Sequence, residues 1–241
     1  MGQAELFCEY ERNQFSNTKG FYREGGYQTI KEPPGISGLF ELSVNAYYAA
    51  LYAVMSELPI KGEISRFIDK VKEAGGSIND KKSAEARTAA DRAASDRGDP
   101  DVLVVLKASG RVLHEIHRLT GLLRFIPDHN GVYIARCTPD HYILPALAEH
   151  FTLRFGNTPW AIIDERRSLC LCREGNSPPQ LIQAAFFHCT DMEADKKNSG
   201  DSWEDLWRLY HRTINIESKK NLKLQRQLMP VRYHKYLTEL E

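Results

Sequence analysis

The sequence predicts an α+β fold: an antiparallel sheet built from two hairpins, helices packed on one face of it, and helical regions at the N- and C-terminal ends. Three observations lead there. Apolar residues recur at intervals of three and four over 38–74 and 101–120, the period of an amphipathic helix. Two pairs of short apolar runs, 122–126 with 131–137 and 160–163 with 168–172, each flank a polar turn. Strands and helices do not alternate as βαβ units, and no repeat recurs at a fixed period.

In order, residues 1–36 read as an irregular arm punctuated by Gly25-Gly26 and Pro33-Pro34-Gly35, with 27–30 its best strand. Residues 37–100 read as a helical region with a polar connector. Its first helix enters through Ser37 and stops before Pro59; a second runs from Ile60 to Gly75-Gly76. Residues 77–99 are rich in Ala and charge, suited to a solvated surface helix that cannot build a core. Residues 101–241 form the expected α+β core domain. Its leading helix buries Val102, Val105, Val112 and Ile116, and Gly121 breaks it. The first hairpin turns at Asn130-Gly131. Thr138 as cap and Pro139 at the first helical position then open a helix that buries Ile143, Leu147 and Phe151, with Pro145 as a kink. The second hairpin turns over Asp164-Glu165-Arg166-Arg167. After a loop over 174–179, residues 183–190 suit a strand or short helix. Ser202 caps a helix to Ile214, and a last helix begins at Met229 or Pro230.

Composition excludes several classes. Thirty-two basic residues balance thirty-two acidic ones, so no global field draws in a polyanion and any nucleic-acid site is a local patch. No run of about 20 apolar residues could span a bilayer, and residues 1–10 lack the pattern of a signal peptide. Five irregularly spaced cysteines fit a reducing cytoplasm better than a disulfide framework. No nucleophile elbow, phosphate loop or dinucleotide fingerprint is present, so no cofactor is expected.

Candidate chemistry lies in the second half. His114 and His117 share a helix surface, but two imidazoles without a third ligand do not make a metal site, so no metal is expected. His141 and His150, read on one helix, point to opposite sides. Cys170 and Cys172 share a strand face, most simply as small hydrophobes. The Asp164–Arg167 turn is either a surface ion pair or a carboxylate that positions an Arg fork for phosphate. From Arg208 to the end, eight Lys and Arg oppose three acids, an excess of five positive charges interleaved with Tyr210, Tyr233 and Tyr236. Cations suit phosphates and rings suit bases.

Several motifs occur in order: Glu115, His117 and Arg118, then Leu122, Arg124 and Phe125; Pro139, Asp140 and His141; His150, Phe151, Arg154 and Phe155; Trp160, Ile162, Asp164 and Arg167; Leu206, Trp207 and Tyr210; Asn221, Met229, Pro230, Arg232 and Tyr233. Together they resemble the radical-SAM-linked DNA metabolism and repair family, a bacterial domain of unknown function whose members are in some cases fused to a uracil-DNA glycosylase. The matching stretches are 106–173 and 203–241. Leu122 stands where the family has Phe, His234 where it has Trp, and the family's opening aromatic-Asp-Gly strand is absent. The resemblance implies DNA repair or modification as the setting and a radical-SAM protein or glycosylase as partner.

Three functions follow as expectations. The first is a DNA-binding accessory protein using Arg118, Arg124, Arg154, Arg166, Arg167, Trp207, Tyr210, Arg232 and Tyr233. The second is an enzyme acting on a nucleotide or DNA lesion, with His117, Asp140, His141, His150 and Asp164 as acid–base groups. The third is a protein–protein adaptor whose aromatics form an interface.

Overall fold

In a computed structural model of the chain, residues 35–76, 83–187 and 203–237 are described. The proposed strand at 27–30, the Ser202 cap, Cys8 and Cys189 lie outside them. The chain divides into two units. A helical unit takes Ile30–Gly121 and Pro139–Ile143, and a sheet unit takes Leu122–Thr138 and Leu144–Glu241. The leading helix of the expected core domain thus packs with the helical region up to Gly121.

In the helical unit the expected first helix is two helices, α1 (Leu39–Leu42) and α2 (Val44–Met55). Ser43 separates them in an extended conformation, φ −152° and ψ 110°. Its hydroxyl oxygen accepts from the Ala46 amide at 3.0 Å, so the cap is Ser43 rather than Ser37. The same hydroxyl donates to Asp91 at 2.5 Å. α2 is buried on nearly every side, and four small alanines (Ala46, Ala49, Ala50, Ala53) admit its neighbours closely. α3 (Lys61–Ala74) buries Ile64, Phe67, Ile68 and Val71 at helical spacing. At its end, a Cβ on Gly75 would lie 2.8 Å from Leu42 Cδ2, so only glycine fits without repacking. α4 (Ala84–Ser95) is the Ala-rich segment. It has a core side after all, for Ala90 and Ala94 are buried.

α5 (Pro100–Leu122) starts with proline where an N–H is not needed. Asp99 caps it, accepting from the amides of Asp101 at 2.9 Å and Val102 at 3.2 Å. Lys70 reaches both Asp99 and Asp101, and Arg66 grips Asp101 with two nitrogens at 3.0 and 2.9 Å.

In the sheet unit five strands lie in sequence order: β1 (Ile126–Pro127), β2 (Tyr133–Cys137), β3 (Trp160–Asp164), β4 (Leu169–Arg173) and β5 (Gln180–Gln183). The α+β class holds, but the sheet is mixed. β2 and β3 run parallel, while the other pairs are antiparallel. The cause is the helix between them, α6 (Leu144–Phe155), which carries the chain back to the starting end and makes one βαβ crossover. β1 is shorter than expected: α5 runs through Gly121, the expected break, to Leu122, and residues 123–125 belong to no regular element. α6 begins at Leu144, five residues after Pro139, so Pro145 sits harmlessly in its first turn and causes no kink.

The pleat gives the sheet two faces. Phe151 and Phe155 of α6 lie 6.2 and 6.4 Å from the Trp160 ring. Phe125 packs on both, at 5.0 and 4.7 Å. The opposite face gathers Ile134, Ala161, Ile163 and Cys170, with Cys172, Ile182 and Phe187 against them. After the sheet come α7 (Trp203–Ile214), α8 (Leu222–Leu228) and a 3-10 segment, Val231–Tyr236, in place of the expected last helix.

Candidate functional site

Parallel pairing puts the carboxyl ends of β2 and β3 side by side, Cys137 opposite Asp164. In open α/β sheets this is the edge outside which ligands bind. The Glu165 amide donates to the Cys137 carbonyl at 3.0 Å, which fixes the exit of β3 against the end of β2. Asp164 is fully buried and shapes the turn. One oxygen accepts from the amides of Arg166 at 2.9 Å and Arg167 at 3.2 Å, the other from the Arg167 guanidinium at 2.8 Å. Ser168 completes the reversal with φ +52°.

Glu165 points outward and becomes the hub of the cluster. Its Oε2 accepts from the Tyr236 hydroxyl at 2.7 Å and the Lys235 ammonium at 3.1 Å. Its Oε1 lies 3.8 Å from the Arg136 guanidinium. Burial opposes ionisation of Glu165, but hydrogen bonds from Tyr236 and Lys235 and the charges of Lys235 and Arg136 outweigh it, so the carboxyl sits below its usual range. Burial, with Glu165 alongside, holds the Tyr236 phenol above its ordinary value. Lys235 is raised by its bonds to Tyr236 and Glu165, and its ammonium lies 4.5 Å from the Tyr236 ring centre.

The segment that delivers these groups is anchored by Tyr233, which is 1% exposed. Arg232 lies 4.7 Å over the Tyr233 ring and donates to its hydroxyl at 2.9 Å. The Met229 carbonyl can only accept, so His234 Nε2, 3.0 Å away, carries the proton. Arg136, Arg166, Arg232 and Lys235 are all exposed around this edge, with Arg167 half-buried behind them. Their chemistry is that of a binder of oxyanions: forked and point-charge donors held at one edge by a carboxylate and a phenol.

Other candidates fall elsewhere. In the helical unit, Glu115 is 2% exposed, and its two oxygens accept from the amides of Asp140 and His141, each at 2.9 Å. His141 Nδ1 donates to the Ser56 carbonyl at 3.0 Å, which leaves Nε2 the acceptor of the neutral ring. His141 therefore precedes α6 and shares no helix with His150, so the expected opposition of the two does not arise. His117 and Asp140 are exposed and Arg118 is half-buried in this unit. His150 lies on α6 in the sheet unit, its ring 4.8 Å from Phe151. Burial, then the nearby Arg154, lowers its pKa. Arg124 is half-buried and Arg154 exposed. Of the expected acid–base groups, His117, Asp140 and His141 belong to the helical unit, and His150 and Asp164 to the sheet unit.

Arg136 and Glu165 were not among the expected site residues, and Lys235 and Tyr236 were marked only as part of the basic C-terminal run. Arg136 carried a signal, a lone charge on an otherwise apolar strand, and Glu165 stood within a turn already singled out. The pairing of Glu165 with residues 235 and 236 left no local trace. Among the described residues no group of three or more His, Cys, Asp or Glu is placed to hold a metal, and no helix is long and apolar enough to cross a membrane.

Residues 82–239 match DUF4130, a domain of unknown function. The chain belongs to the DUF4130 family. The match begins at α4 and runs through the sheet to the C-terminal 3-10 segment, so it contains the whole cationic edge. No curated protein and no solved structure matches the chain.

Proposed function

We propose that this DUF4130 protein is a DNA repair or modification accessory that binds nucleic acid at the cationic edge of its sheet unit. One observation carries the reading: Arg136, Arg166, Arg232 and Lys235 are exposed around the joined ends of β2 and β3, where Glu165 lies against the Arg136 guanidinium and the Lys235 ammonium, and the Tyr233 hydroxyl accepts from Arg232. Phosphate oxygens are the natural acceptors for such donors. The family resemblance adds the partner, a radical-SAM protein or a uracil-DNA glycosylase. The test is fluorescence anisotropy with labelled DNA over a salt series. Four cations on phosphates give a slope of log K against log salt of roughly −3.6, and Arg166→Ala or Arg232→Ala each reduces it by about 0.9. Undetectable binding at low salt, or binding indifferent to salt, refutes the proposal.

A second reading, a protein adaptor, is favoured by the exposed apolar residues Leu206, Leu209, Ile214 and Ile216 on and after α7. It is supported if a glycosylase or radical-SAM partner binds the chain and Leu209→Glu abolishes that binding while leaving DNA binding intact.

A further inference from the structure

α7 carries an aromatic pair that the fold does not bury. Trp207 and Tyr210 are stacked, with ring centres 5.7 Å apart and planes inclined at 30°. They are 42% and 54% exposed. The stack is already formed in the protein, so a ligand need not order the rings on binding. Arg208 and Arg212 lie one turn apart in the next row of the helix, and Asp205 restrains Arg208 at 3.2 Å.

His211 and Ile214 follow Trp207 and Tyr210 by one turn on the same face, and there they line an open cavity of about 320 Å³ with Asn215, Ile216 and Lys219. The cavity offers apolar walls for a flat ring. It also has an amide, an imidazole and an ammonium for the ring's polar edge. The Asn215 amide nitrogen donates to Glu217 at 3.1 Å, which leaves its oxygen as an acceptor.

Charge decides what covers this face. From the start of α7 to residue 226, six Lys and Arg stand against three acids, Glu204, Asp205 and Glu217, of which Asp205 pairs with Arg208 and Glu217 with Lys220. An apolar peptide would satisfy the rings and make no use of the remaining excess of positive charge. A nucleic-acid strand satisfies both. A duplex keeps its base faces stacked inside, whereas an unpaired strand offers them.

Resting on the nucleic-acid reading above, we propose that α7 is a single-strand site. Unpaired DNA bases stack on the Trp207–Tyr210 pair and enter the adjoining cavity, and the connecting phosphates lie on Arg208, Arg212 and Lys219. The cationic edge then holds the backbone, and α7 selects DNA that is open or flipped.

The experiment measures the full chain against labelled oligo-dT and a blunt duplex of equal length, by anisotropy and by quenching of tryptophan emission. The single strand should bind about tenfold or more tighter, since each stacked base contributes on the order of a tenfold gain. Trp207→Ala with Tyr210→Ala should erase that preference, while Trp207→Phe with Tyr210→Phe should retain it. Equal affinity for both DNAs, or a preference that survives removal of both rings, overturns the single-strand site; the nucleic-acid reading then stands if Arg166→Ala and Arg232→Ala still weaken binding. Loss of binding to both DNAs in the alanine variant, with a wild-type circular dichroism spectrum, also overturns it, because the rings would then not discriminate strands. No binding of either DNA by the wild-type chain ends both proposals.

Discussion

Replacing Glu115 tests whether the Glu-x-His-Arg motif serves the fold or the chemistry. Its carboxylate is sealed within the helical unit and accepts two backbone amides, those of Asp140 and His141. Glu115→Ala leaves both donors without that partner. A buried unsatisfied donor costs about 1–3 kcal/mol, and the space left by the side chain adds to this. We expect a total loss of about 3–5 kcal/mol. Glu115→Gln keeps the shape and one acceptor but turns an amide NH₂ toward one of the N–H groups, for a loss of about 1–3 kcal/mol. With a urea dependence of about 2–3 kcal/mol per molar for a chain of this size, the alanine variant should unfold roughly 1–2 M earlier, followed by far-ultraviolet circular dichroism. The two variants should fall in that order. A midpoint for Glu115→Ala within about 0.3 M of the parent would refute the structural role. A proton-transfer role would give the opposite pattern: normal stability with loss of a reaction.

Asp101 should set part of the acid limb of stability. Arg66 and Lys70 hold its carboxyl at about 2, below the unfolded value of 3.8. Its contribution is therefore complete above pH 4 or so and is lost as pH falls toward 2, and Asp101→Asn should flatten that limb in denaturation series between pH 6 and 2. Gly75→Ala should destabilise by about 1–2 kcal/mol in urea melts, because the added methyl meets the buried Leu42 at 2.8 Å although the backbone, φ −76°, suits alanine; an unchanged midpoint would show that Leu42 yields freely. The His150 imidazole, lowered by burial and by Arg154, should titrate below the ordinary histidine value in an NMR pH series. Its neutral form stabilises the fold above about pH 6.5, and that support fades as pH falls through the window below.

Elements with a strong period were legible: α3 and α5 stand close to where Phe67, Ile68 and Val71, or Val102, Val105 and Val112, required them. Ser43 was not, because Leu39, Leu42 and Ala46 keep the helical period across it, and only the cap bond to Ala46 and the reach to Asp91 reveal the break. The six residues before α6 misled for a similar reason. Thr138-Pro139 has the local form of a helix start, yet the amides that follow are taken by Glu115, from another element. Parallel pairing of β2 with β3 was hidden by good turn signals on each outer flank, which made two independent hairpins the simpler reading. The cationic edge was half visible. The turn and the basic C-terminal segment were each marked by composition, but their meeting at Glu165 joins residues 70 and 71 positions apart, beyond any spacing rule.

The motif residues sort by what surrounds them, and the sorting bears on function. Glu115, Phe151, Trp160, Ile162, Asp164 and Tyr233 are buried, each engaged in packing or in backbone hydrogen bonds that hold a turn or a neighbouring segment. Those left at the surface are Arg154, Leu206, Trp207, Tyr210, Asn221 and Arg232 in the sheet unit, where Arg167 and His150 are half-covered, and His117 and Asp140 in the helical unit. The exposed members in the sheet unit are guanidinium groups, aromatic rings, an amide and an alkyl chain, with no side-chain type among them that gains or loses a proton near neutrality. General acid–base chemistry needs such a group, whereas recognition of phosphate and base needs forks and faces. In the sheet unit the exposed motif residues therefore have the chemistry of recognition, which is what the proposed nucleic-acid surface requires.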